Sequence, residues 1–298
     1  MTYKELVNTI EEKGLIRPLN STELEELKKI MLLCFTDVFR VCLKHNINVL
    51  LGGGSALGAV RHKGFIPWDD DLDLMMSRAD FDKFKEIFDN ELGKKYILNS
   101  PNFSLNPSNR FPKVLVKGTR FVEAGEDWNK DSNKIKIDIF IIENVPDFKI
   151  HRLLHGFLCS LVMYIASCVD IFETRNSDFS RLLLESRDGK KLLKKRMIIG
   201  RLFSFKRYGK WCDAVDSLCQ YNKKSKCVSI PTGRKHYFGE MLPREVFFPP
   251  KKCEFEGLDA FIPNLVERYL SNLYGEYMII PPESKREKHL IKEISFNI

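Results

Sequence analysis

Apolar side chains recur at helical spacing through residues 22–45, TELEELKKIMLLCFTDVFRVCLKH, behind Ser21 or Thr22 as an N-cap. This pattern predicts an amphipathic helix. INVLL follows, a short β-branched run, then GGGS, then ALGAVRH. That order reads as strand, glycine turn, helix. Asp71 to Met76 alternate acid and apolar, the period of a strand, and helical spacing returns in RADFDKFKEIFDNEL. Residues 96–122 are rich in Pro, Asn and Ser between short apolar runs, and predict loops linking strands. KIKIDIFII at 134–142 is the cleanest strand pattern, with Lys134, Lys136 and Asp138 alternating against Ile135, Ile137 and Ile139.

The second half changes character. Residues 150–172 are strongly apolar, whereas 190–210 hold nine Lys or Arg and no acid. VERYLSNLYGEYMIIPPESKREKH predicts a short helix and a proline-marked basic tail. The expected fold is α+β, a mixed-sheet core flanked by helices at 1–148, followed by a mostly helical, basic region at 149–298.

The chain of 298 residues can bury a sizeable core, and 44% hydrophobic with 30% charged residues is ordinary for a globular protein. The N-terminal segment is polar, with no apolar signal-peptide core. Eight scattered cysteines form no CxxC pair and read as free thiols of a reducing compartment; Cys212, Cys219 and Cys227 are close in sequence but fit no common zinc-finger spacing. A net charge of +8 favours an anionic partner. No recognised nucleic-acid module is present, so nucleic acid is not expected as that partner.

Three features carry the chemistry. Gly52-Gly53-Gly54-Ser55 opens a helix, where glycine permits close backbone approach and exposed N–H groups favour phosphate. GxxxxGK[ST] is absent, so this is not a P-loop. In GFIPWDDDLDL, residues 64–74, four acids occupy five positions. Strand alternation puts Asp71 and Asp73 on one face, and such a pair is favourable when a divalent cation joins it to substrate phosphate. Asp69 and Asp70 precede the strand and are expected to shape the loop. Asp138, in otherwise apolar company, needs a partner that a neighbouring metal-binding strand would supply.

Gly-Ser on a helix-opening turn, then Asp-Leu-Asp, then a third Asp on a later strand, resembles the polymerase β superfamily of nucleotidyltransferases. GGGSALGAVRHKGFIPWDDDLDL and the closing YLSNLYGEYMIIPPESKREKH resemble the LicD/fukutin family more closely. The likeness covers residues 47–76, Asp138 and 268–289. It implies a nucleotidyltransferase-like core and a phosphotransferase that moves a phospho-alcohol, phosphocholine or a polyol phosphate, from a CDP-activated donor to a sugar of a surface glycan, releasing CMP. Asp71, Asp73 and Asp138 would hold Mg²⁺ or Mn²⁺, Asp138 serving alternatively as the base for the acceptor hydroxyl. Gly54 and Ser55 would donate to phosphate, and Arg61, His62 and Lys63 would neutralise the diphosphate. Trp68 would stack on the base or face a quaternary ammonium, or simply pack. Lys285, Arg286 and His289 would reach the nucleotide. The alternative is transfer of NMP with release of pyrophosphate.

A lipid-linked glycan acceptor implies a cytoplasmic protein, peripheral at the inner face of a bacterial membrane. Residues 153–172 approach the length of a bilayer span, but His155, Ser160, Ser167 and Asp170 favour a buried core helix. Residues 190–211 form a basic amphipathic stretch suited either to an anionic membrane surface or to a solvated or acceptor-lining face.

Overall fold

The computed structural model describes residues 16–124, 131–175, 177, 187–283, 286 and 290–296, with the backbone alone at 187–190 and 192. Helix α1, Ser21–Lys44, turns Leu27, Met31, Cys34, Phe35, Val38 and Cys42 into the core, and each such burial stabilises by about 1.5–3 kcal/mol. Its cap is Asn20, one residue before the expected position. The Asn20 side chain accepts from Glu23 N–H while the Glu23 carboxylate accepts from Asn20 N–H, a reciprocal capping box.

Strand β1 is Arg17–Pro18, β2 is Leu50–Leu51 and α2 is Gly53–His62; β3 is Asp73–Ser77 and α3 is Arg78–Glu91. The expected loop-and-strand region resolves into β4 (Tyr96–Asn99), β5 (Lys113–Val116) and β6 (Arg120–Glu123), and the strand after it is β7, Lys136–Asn144. These build a mixed sheet in the order β2-β3-β7-β5-β4, in which only β3 and β7 run parallel. The fold is α+β.

The long apolar segment becomes α4, Lys149–Glu173, followed by α5 (Arg187–Phe203) and α6 (Tyr208–Cys219). The expectation of a buried core helix needs correction. Helix α4 buries Gly156, Cys159, Met163, Ala166 and Val169 against a second apolar cluster with Trp211, Val215 and Tyr237, but leaves Ile150, Leu154, Phe157 and Leu161 on the surface. One stripe of a largely apolar helix suffices for packing, so apolar content alone overstates burial.

The chain then returns to the first half. Strand β8 (Cys227–Ser229) pairs with the end of β7 and with β9 (Leu242–Pro243), α7 being His236–Gly239 between them. A hairpin of β10 (Lys251–Phe255) and β11 (Leu258–Ile262) precedes α8, Val266–Tyr274. Strand β12, Leu290–Ser295, inserts between β1 and β6. One apolar core therefore holds Phe35, Leu74 and Ile139 together with Phe247, Phe255, Leu270 and Ile291.

Candidate active site

The parallel pairing of β3 with β7 places Asp73 directly beside Asp138, and the antiparallel pairing of β5 places Lys113 on the other side of Asp138. Laterally paired residues point to the same face of a sheet, so this row carries acid, acid and base in sequence. Asp71 lies just before β3 and reaches the same cleft as Asp73, with Asp69 alongside. Burial first, then the charges of Asp71, Asp138 and Asp69, pushes the Asp73 pKa well above the ordinary carboxylate value, opposed only by the Gly54 N–H that donates to it. Asp138 Oδ1 is buried and has no hydrogen-bond partner among the described residues; Lys113 Nζ stands 3.4 Å away as its ion-pair partner. Lys113 is itself buried.

The glycine turn fixes this row. Gly52 N–H donates to Asp73 C=O at 2.9 Å, and Asp73 N–H donates to Ser55 Oγ at 2.9 Å. Gly53 N–H donates to the Tyr269 hydroxyl at 3.0 Å. Gly53 adopts a φ of 43°, and a Cβ there would collide with the Asp73 carboxylate; at Gly54 a Cβ would come within 2.7 Å of Asp69 Oδ2. The backbone of this turn thus grips the aspartates closely, which any side chain would prevent.

Two cavities meet at Asp71. One, of about 300 Å³, is lined by Asp69, Asp71 and Asp73 and faced by Arg61, Arg234 and Arg286, with Trp68, Tyr274 and Tyr277 in its wall. Arg286 stacks over the Trp68 ring at 4.1 Å, and Arg61 lies 6.0 Å from it. Arg61 also donates to Tyr277 C=O at 2.8 Å, closing α2 onto the C-terminal segment. The other cavity, of about 220 Å³, holds Asp70, Asp71 and Asp138 with Lys113, Glu123 and Lys136. An arginine-rich chamber and a lysine-containing chamber therefore share one carboxylate cluster.

The model of the LicD/FKTN/FKRP nucleotidyltransferase domain matches residues 46–152, the segment that contains the glycine turn and all four carboxylates. Lipopolysaccharide cholinephosphotransferase LicD of Haemophilus influenzae is 27% identical over 287 residues, covering 90% of this chain and 97% of that protein. Residues 46–152 thus resemble a LicD/FKTN/FKRP nucleotidyltransferase domain, and the chain is similar to a LicD protein over most of its length. Shorter likenesses join this LicD-like chain to two uncharacterised Rickettsia proteins. One, from R. typhi, is 43% identical over 51 residues, 17% of this chain and 16% of that protein. The other, from R. prowazekii, is 46% identical over 44 residues, 15% and 16% respectively.

Among the residues expected at a LicD-like site, the structure brings together Gly54, Arg61, Trp68, Asp71, Asp73, Asp138 and Arg286. Ser55 is buried and tethers β3. His62 sits behind the wall, its Nε2 accepting from Arg61 Nε at 2.9 Å, and burial, then Arg61 and Lys28, lowers its pKa. Lys63 is exposed at the left-handed end of α2 and lines neither cavity. Lys285 and His289 lie outside the described residues. Sequence reasoning missed Lys113, Arg234, Tyr269 and Tyr274, and assigned Asp69 to loop shaping although it lines the cleft. For Lys113 a signal existed: a lysine inside the apolar run FPKVLV needs a buried anion.

Behind the cleft, Glu240 lines a small cavity with Arg234, Tyr269 and Tyr274. Burial pushes its carboxyl up to about 7 from an ordinary 4.5, despite the Lys235 N–H that donates to it at 2.7 Å. A raised folded-state pKa contributes stability that is full below about 4.5 and is lost as pH rises through about 7. The wild-type melting temperature is therefore expected to fall between pH 5 and pH 8, and Glu240→Gln to flatten that fall. Thermal melts of both proteins across this range check it, and identical slopes would remove Glu240 as the source.

Proposed function

We propose that this protein transfers phosphocholine from a CDP-activated donor to a sugar hydroxyl of a cell-surface glycan, releasing CMP. The observation that carries the reading is the set of Asp69, Asp71 and Asp73 facing a chamber of three arginines, with Asp138 paired to Asp73 on the neighbouring strand. Likeness to a lipopolysaccharide cholinephosphotransferase over 90% of the chain supports phosphocholine as the group moved and a glycan as the acceptor. Arg61, Arg234 and Arg286 suit a diphosphate, and their clefted arrangement beside the acids provides the positioning that phosphoryl transfer requires.

In this scheme the acceptor oxygen forms a bond to the phosphorus that carries choline. The bond from that phosphorus to the bridging oxygen breaks, and CMP leaves with the electron pair. Asp138 takes the hydroxyl proton, and Lys113 holds Asp138 in place at 3.4 Å. Because Arg286 covers one face of Trp68, that ring supports an arginine on the diphosphate side.

The donor set fits a divalent cation in chemistry: like-charged carboxylates converge, Asp73 is driven toward neutrality, and a buried Asp138 oxygen lacks a hydrogen bond. Among the described residues no three ligands are already closed around one point, so binding must draw them together. Asp71 and Asp73 are the residues that would hold Mg²⁺ or Mn²⁺, with Asp69 adjacent; Asp138 would join them only in the alternative in which it is not the base. Bound there, the ion would neutralise charge on the donor diphosphate.

Incubation with Mg²⁺ and CDP-choline, CDP-ribitol or CDP-glycerol tests the donor class. CMP is expected to appear fastest from CDP-choline. Turnover of CTP to pyrophosphate, with all three CDP-alcohols untouched, would favour nucleotidyl transfer instead.

A further inference from the structure

Helix α4 carries an apolar stripe that the described residues leave exposed. Ile150, Leu154, Phe157 and Leu161 follow one another at steps of four, three and four residues, so they share a face about 16 Å long. Ile150 is 65% and Phe157 59% exposed. Helix α5 packs on the later part of α4, Arg196 over Tyr164 and Gly200 against Cys168 and Phe172, and leads into Leu202 and Phe205, which are 70% and 71% exposed. Isolated exposed apolar residues are ordinary, but exposed apolar rows on two helices packed together mark an interaction surface.

The geometry points to an anionic lipid bilayer as the occupant, with α4 and α5 lying in its plane. Charge decides among the partners. Residues 190–210 hold nine Lys or Arg and no acid, and Lys191, Lys194, Arg201 and Lys206 are exposed around the apolar residues of α5. Cations interleaved with Ile198, Leu202 and Phe205 match anionic headgroups above an acyl layer. A second copy laid on the same face would oppose one set of cations to another.

Helix α4 is long and apolar enough to cross a membrane by length and composition, but its inner face is committed to the fold. Cys159, Met163, Ala166 and Val169 are buried, and His155 is held by Tyr237 at 3.0 Å and Leu218 C=O at 2.8 Å. The helix therefore lies on the bilayer. The face is separate from the carboxylates: Asp138 sits near the start of β7, six residues or about 20 Å before Asn144, and α4 begins beyond that end. The inference stands on this face and does not depend on the transfer reaction.

Vesicle flotation of the full chain tests it, comparing phosphatidylcholine with mixtures containing phosphatidylglycerol. The expected result is binding to the anionic vesicles that weakens with added salt. Leu154→Gln with Phe157→Gln, and separately Lys194→Gln with Arg201→Gln, should each reduce partitioning by about tenfold or more at an unchanged melting temperature. Equal partitioning of wild type and both double variants would overturn the proposal. So would absence of anionic-vesicle binding, including the case in which the apolar pair instead disperses a concentration-dependent dimer.

Discussion

Asp73→Asn is expected to lower transfer by about a thousandfold or more while leaving the fold intact. The amide cannot supply the charge that a diphosphate-bound cation needs. The backbone around position 73 is held independently of that carboxylate: its N–H by Ser55, its C=O by Gly52, and the strand by the ladder to β7. The substitution also removes a charge that burial and then Asp71, Asp138 and Asp69 oppose. Without divalent cation, the variant should therefore melt at or above the wild-type temperature. Adding Mg²⁺ should raise the wild-type melting point by linkage and leave the variant unmoved. Melts with and without Mg²⁺, alongside a CMP-release assay, separate these effects. Full turnover, or equal stabilisation of both proteins by the cation, contradicts the metal assignment.

The largest effect on stability is expected at Arg78. Its guanidinium pairs with Glu143 on β7 and, at 2.7 Å, with Asp216 on α6, joining α3, the sheet and the second-half helices. Burial lowers the Arg78 pKa, but Glu143 and then Asp216 more than reverse this. On the other partner burial dominates and pushes Glu143 up to about 7, consistent with a Glu143 Oε2 that has no hydrogen bond among the described residues while Oε1 takes the arginine. Arg78→Met strands Glu143 in the sheet and leaves Asp216 with only the amide donors of Asn102 and Gln220, and should destabilise by about 3–5 kcal/mol. Glu143 without its arginine titrates still higher. A raised carboxylate favours the fold below the unfolded pKa and loses that contribution as pH rises through the folded value. The deficit should thus be smaller at pH 5 than at pH 8, and urea unfolding at both values measures it. A loss below about 1 kcal/mol at pH 8 contradicts this role.

Local patterns made much of the fold legible. Periodicity located α1, α2, α3 and β7, and alternation with an acid at Asp138 marked the strand that meets Asp73. The ends were less legible: β3 begins at Asp73, so Asp71 reaches the cleft from extended chain ahead of the strand. Asp69 shows why loops resist prediction, since no period fixes the direction of a side chain in irregular backbone. Tyr269 lies 216 positions from the Gly53 N–H it accepts, and Arg234 enters from a loop after β8; both depend on how the second half folds back. The Gly52–Ser55 turn was read as a phosphate cradle, yet the mapped hydrogen bonds of Gly52, Gly53 and Gly54 run to Asp73 and Tyr269. Composition alone could not reveal that internal demand.

The most direct measurement supplies CDP-choline labelled in its choline together with CTP, Mg²⁺ and a glycan acceptor, and follows both label and nucleotide. Phosphocholine transfer gives label on the glycan and one CMP for each group transferred. Label remaining soluble while the acceptor gains NMP and CTP yields pyrophosphate would contradict it.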